Sequence, residues 1–67
     1  MKSLSQIAYT VGGMKVGQSI PIPRGKMINL NLQIGSSISS EPEGVKHQFK
    51  DGKVFMYDRN DELKRIR

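Results

Sequence analysis

The chain of 67 residues contains no cysteine and no tryptophan, a single histidine, and only two tyrosines and two phenylalanines. Without cysteine no disulfide can staple a small core, and thiolate-held zinc and iron–sulfur clusters are excluded. His47 alone is too few for a histidine-rich metal site, so no metal and no cofactor are expected, and His47 reads as a surface or half-buried strand residue. No apolar run approaches the roughly 20 residues of a membrane span. "MKSLSQIAYTVGG" is interrupted by Ser5, Gln6 and Thr10 and makes a poor signal peptide. The expectation is a soluble, unprocessed, cytoplasmic chain with no membrane partner.

Acidic side chains are also missing from positions 1–40, which hold Lys2, Lys15, Arg24 and Lys26. All 6 acids, Glu41, Glu43, Asp51, Asp58, Asp61 and Glu62, lie in residues 41–67, within a net charge of +5. A segment without counter-charges keeps its positive potential, which attracts nucleic acid or an acidic protein surface.

Length sets a further limit. A chain this short forms one domain, residues 1–67, that buries only about 60% of the surface exposed when unfolded. Gly12, Gly17 and Ser19 approach the spacing of a phosphate-binding loop, but Gln18 stands where that signature requires lysine, and Pro21 and Pro23 block the helix that must follow. The glycines and prolines of "GGMKVGQSIPIP" read instead as a turn and an edge strand, with Ile20 and Ile22 on one face. No catalytic set emerges. Glu41 and Glu43 flank Pro42 as a solvated acidic turn, and the serines at 36, 37, 39 and 40 lack a nearby histidine base. The protein is expected not to be an enzyme.

Residues 5–11 read as a short strand or as part of a flexible N-terminal arm over 1–13. "MINLNLQIG" alternates Ile28, Leu30, Leu32 and Ile34 with amides, which predicts a half-buried strand. A helix from Lys26 would align Met27, Leu30, Ile34 and Ile38 but leave Ile28 and Leu32 off the stripe. "GSSISSEPEG" reads as a loop, and "NDELKRIR" as a terminal helix capped by Asn60. The clearest local signal is the Asp51-Gly52 pair between two β-prone runs, a hairpin over 45–57. A two-residue loop pairs Phe49 with Val54 and Lys46 with Tyr57. Val45, Phe49, Val54 and Met56 then share one face, while Lys46, Gln48, Lys50, Lys53, Phe55 and Tyr57 share the other. The fold class expected is α+β, a small domain dominated by antiparallel strands with at most one or two short helices.

Lys46, Lys50, Lys53, Phe55 and Tyr57, with Arg24 and Lys26, form the candidate nucleic-acid-binding set. Rings stack on bases and amines meet phosphates. The competing reading puts Phe55 and Tyr57 in the core, which is short of apolar area.

From Lys15 to Arg59, "MKVGQSIPIP" followed by "GVKHQFKDGKVFMYDR" resembles a group of short bacteriophage accessory proteins with a "VG-(D/E/Q)-S-x-x-(I/V)-P" segment and a terminal basic-aromatic hairpin. Gly17-Gln18-Ser19, Ile22-Pro23, Leu30 to Gly35 and Asp51-Gly52-Lys53 also resemble the AbrB/MazE swapped-hairpin DNA-binding fold. The first resemblance implies phage origin and a binding role, and both imply a small β-rich binding module. Two functions are therefore expected in competition: a nucleic-acid-binding accessory or regulatory protein, and an inhibitor or modulator docking on a host enzyme. Self-association into a homo-oligomer is expected with either.

Overall fold

The computed structural model describes residues 3–67. Its elements in chain order are α1 (Leu4–Gly12), β1 (Ser19–Pro21), α2 (Arg24–Ile34), β2 (Gly35–Glu41), β3 (Gly44–Phe49), β4 (Val54–Asp58) and β5 (Glu62–Arg65). The strands make one antiparallel sheet in the order β1-β5-β4-β3-β2. This is the strand-dominated α+β fold with two short helices that the sequence predicts. No helix among the described residues is long and apolar enough to cross a membrane.

Both helices serve one core. Ile7 and Val11 from α1 and Met27 and Leu30 from α2 pack with Ile22, Phe49, Phe55, Tyr57 and Leu63. Cross-strand pairing of Leu63 with Tyr57, Tyr57 with Val45, and Phe55 with His47 puts these sheet residues on a single, helix-covered face. The other face presents Lys46, Gln48, Met56 and Lys64 and carries no helix.

Residues 4–12 form a helix where a strand or arm was expected. The reason is a capping box: Ser3 Oγ accepts from the Gln6 amide at 3.3 Å, and Gln6 Oε1 accepts from the Ser3 amide at 2.9 Å. Ile7 and Val11, one turn apart, then bury a continuous stripe. Gly17, with φ +94, shapes the turn that leads into β1, in keeping with the turn reading of this segment. β1 is the expected edge strand, its partner being β5.

The second correction concerns residues 24–34, a helix rather than an alternating strand. The helical stripe settles the matter: Met27 and Leu30 are buried and Ile34 packs against the core, while Ile28 and Leu32 remain 57% and 77% exposed. Leu30 and Leu32 would share a face in a strand, whereas only one of them is inside. Ile38, aligned with this stripe in the helical reading, lies beyond the helix in β2.

β2 and β5 replace the expected loop and terminal helix. β2 enters directly from α2 at Gly35, and a Cβ there would collide with the Phe49 ring across the strand pair. In β5, Leu63 is fully buried between Ile20 and Tyr57, and that burial outweighs the helical charge pattern of its neighbours. Asn60 is not an N-cap; Asp58 Oδ1 accepts from the amides of Asn60 and Glu62 at 2.9 and 3.0 Å and closes a turn.

The hairpin forms, with its register displaced by one residue. Gln48 pairs with Val54, His47 with Phe55, Lys46 with Met56 and Val45 with Tyr57. The loop has three residues, not two: the Phe49 amide bonds to Lys53 O at 2.9 Å, the Gly52 amide to Phe49 O at 2.9 Å, and Gly52 takes φ +92. A one-residue slip exchanges the faces of a strand. Phe55 and Tyr57 therefore turn away from Lys46 and Gln48 and into the core.

Candidate nucleic-acid interface

The seven residues expected to bind nucleic acid are dispersed. Phe55 is fully buried and Tyr57 nearly so, its hydroxyl donating to Ile22 O, which removes both rings as stacking platforms. Lys46 lies on the helix-free face, paired with Glu41 at 2.9 Å. Arg24 starts α2, bonds Asp61 at 3.1 Å, and sets its guanidinium carbon 5.9 Å from the centre of the Tyr57 ring. Lys26 is half-buried and borders a cleft with Ile7, Thr10 and Ile20. Only Lys50 and Lys53 remain together, in and just after the β3–β4 loop.

The antiparallel topology gathers a different set around those two. The end of the sheet where β3 and β5 finish also receives the chain leaving α1. Lys53 Nζ donates to Gly12 O at 2.6 Å at the C-terminus of α1, a favourable place for a cation. Arg65 reaches Met14 O at 2.7 Å and Arg67 O at 3.2 Å, and the Val54 amide donates to Arg67 O at 3.0 Å. Lys15 follows Met14 directly, so Lys15, Lys50, Lys53, Arg65 and Arg67 share one end of the molecule. Among the described residues, Asp51 is the sole acidic side chain there, bonded to Lys53 at 3.3 Å. The Lys53 amide, aided by the charges of Lys53 and Arg65, holds the Asp51 carboxyl below its ordinary range.

Glu41, Glu43, Asp58, Asp61 and Glu62 occupy the opposite end, in and beside the β2–β3 and β4–β5 turns. This polarity along the strands is not the charge asymmetry of the sequence: of the cations in residues 1–40, Arg24 lies at the acidic end, bonded to Asp61. Lys2 of the acid-free segment lies outside the described residues.

One ring borders the basic end. Tyr9, in the last turns of α1, is 87% exposed, whereas Phe49, Phe55 and Tyr57 are buried. It lines a shallow groove with Gly13, Met14 and Gln18, immediately before Lys15. The signal for this ring was present in the sequence: in a helix begun by the Ser3–Gln6 capping box, Tyr9 falls off the Ile7–Val11 stripe. Arg65 and Arg67 were obscured by the helical reading of the last eight positions.

His47 is buried rather than half-exposed. Its Nδ1 lies 2.8 Å from Asn31 Oδ1, which can only accept, while Asn31 Nδ2 points to Ser37 Oγ at 3.5 Å, so Nδ1–H donates to Asn31. Burial pushes the imidazole pKa below its ordinary value. Among the described residues no group of three or more His, Cys, Asp or Glu side chains is arranged to hold a metal ion.

No protein-family model, no curated protein and no solved structure matches this chain.

Proposed function

We propose that the protein is a small non-enzymatic nucleic-acid-binding protein, an accessory or regulatory factor of bacteriophage type, which holds the phosphate backbone at its basic end. The carrying observation is the convergence of Lys15, Lys50, Lys53, Arg65 and Arg67 with one acidic side chain among them. Cations that outnumber their counter-charges release condensed ions from a polyanion and bind it. Tyr9 takes the stacking role that Phe55 and Tyr57 cannot perform.

Fluorescence anisotropy with a labelled single-stranded oligonucleotide at several salt concentrations tests this reading. Affinity is expected to fall steeply with salt, and Lys50→Ala or Arg67→Ala to reduce the slope of log affinity against log salt by roughly one unit each. Tyr9→Ala is expected to cost on the order of 1–3 kcal/mol of binding with the melting temperature unchanged. Arg59→Ala, at the acidic end, serves as the control. Absence of binding at low salt, or equal losses for Arg59→Ala and Lys50→Ala, would overturn the assignment. A pull-down with and without nuclease separates it from docking on a host enzyme, where the captured partner survives nuclease treatment.

A further inference from the structure

The sheet has two edges of unequal character. β1 is three residues long, contains Pro21 and is followed by Pro23, so it offers little backbone for pairing. β2 is seven residues long, Gly35–Glu41, with neither proline nor lysine in it, and its five central residues are exposed. The devices that usually blunt an edge are reduced here to a bulge between Ser37 and Ser39 and the terminal Glu41. Beside this edge stand Ile28 and Leu32 of α2, 57% and 77% exposed, and Ile38 of β2 itself is 48% exposed.

We infer that β2 pairs with β2 of a second copy of this chain, antiparallel about a two-fold axis between Ser37 and Ile38, to make a continuous ten-stranded sheet. The occupant is identified by charge. Antiparallel pairing puts Gly35 of one copy beside Ser40 of the other, next to Glu41, so the basic end of each protomer meets the acidic end of its partner. Lys50 is exposed, and its amide bonds Ile34 O at 2.8 Å, which fixes it at the Gly35 end of the edge. Glu43 is exposed in the turn after Glu41, close enough to interact with that carboxylate. The pairing thus supplies Lys50 of one copy to Glu43 of the other, beside a Glu41 already held by its own Lys46, twice per dimer. A dyad at the bulge pairs residues 35–36 with 39–40 of the second copy, each residue opposite one on the same face, and α2, on the same side of the extended sheet, brings Ile28 and Leu32 towards their counterparts. An isologous contact of this kind closes at two subunits.

Sedimentation of the full chain without nucleic acid tests the inference. The expected particle has about twice the 7.5 kDa chain mass. Lys50→Glu and Glu43→Lys should each weaken dimerisation by roughly tenfold, because each change occurs twice and turns attraction into repulsion. The double variant K50E/E43K should restore it. Leu32→Glu, at an exposed position, should weaken the dimer with the circular dichroism spectrum unchanged. A monomer at all concentrations, an assembly larger than two, or a double variant no better than the singles would overturn the proposal. The charge swap is not expected to restore nucleic-acid binding, so failure here and failure of the basic-end reading give different results.

Discussion

The two faces of the β3–β4 hairpin are built from the same stretch of chain yet meet opposite environments. The helix-covered face carries Val45, His47, Phe49, Phe55 and Tyr57, with Phe49 and Phe55 ring centres 4.7 Å apart. The open face carries Lys46, Gln48 and Met56, continuing into Lys64. A single loop residue decides which rings join which face. With two loop residues, Phe55 and Tyr57 would stand beside the lysines; with three, they lie under the helices. Binding chemistry inferred from a strand face is therefore no more secure than the loop that sets its register.

The largest expected effect follows from the covered face. Phe55 is fully buried against Phe49 and His47, and Phe55→Ala should cost about 3–5 kcal/mol of stability by leaving a cavity. For a core this small that approaches the whole margin of folding. Urea unfolding measures it directly, and a loss within experimental error would return Phe55 to the surface. Tyr57→Phe is expected to be milder. It keeps the ring and removes the hydroxyl that bonds Ile22 O, so that a buried carbonyl is left without its partner at a cost of about 1–3 kcal/mol. The same unfolding curves should rank the two variants in that order.

A pH titration reads the covered face in a different way. His47 has its pKa lowered by burial, so the unfolded chain binds the proton more readily than the folded one. The stability contributed by the neutral ring is then complete above pH 6.5, its ordinary value, and declines as the pH falls below it. Asp51, whose pKa lies below the ordinary 3.8, adds its own loss only in stronger acid. Thermal melting between neutral pH and about pH 5 isolates the histidine. His47→Gln, which retains a donor for Asn31, should flatten the profile in that window, and an unchanged profile would remove His47 as its source.

The sequence declares its strongest local features and conceals those that depend on a partner element. The hairpin and the β1 edge are legible because Asp51-Gly52 and the paired prolines act over a few residues. The α2 segment is ambiguous by itself: apolar and amide residues alternate, yet Met27, Leu30 and Ile34 also recur at helical spacing. Packing on α1 and the sheet favours the helical stripe. β2 and β5 are stabilised by pairing with β3 and β4 and carry little signal of their own. The basic end belongs to this second kind. Lys15, Lys50 and Arg67 are far apart along the chain, and only the antiparallel order of β3, β4 and β5 brings them together.

The smallest expected effect belongs to the open face and separates the dispersed lysines from the clustered ones. Lys46 is paired with Glu41 at 2.9 Å, and this bond keeps the Glu41 carboxyl below its ordinary value of 4.5. Both groups are solvated, so Lys46→Ala should leave the melting temperature nearly unchanged. A carbon-detected NMR titration should show the Glu41 pKa returning towards that ordinary value. Oligonucleotide affinity should hardly alter, because Lys46 lies on the open face, away from the basic end. Lys50→Ala, at the basic end, should weaken binding in the same assay. If Lys46→Ala instead proves the more damaging of the two, the interface lies across the open face of the sheet rather than at its end.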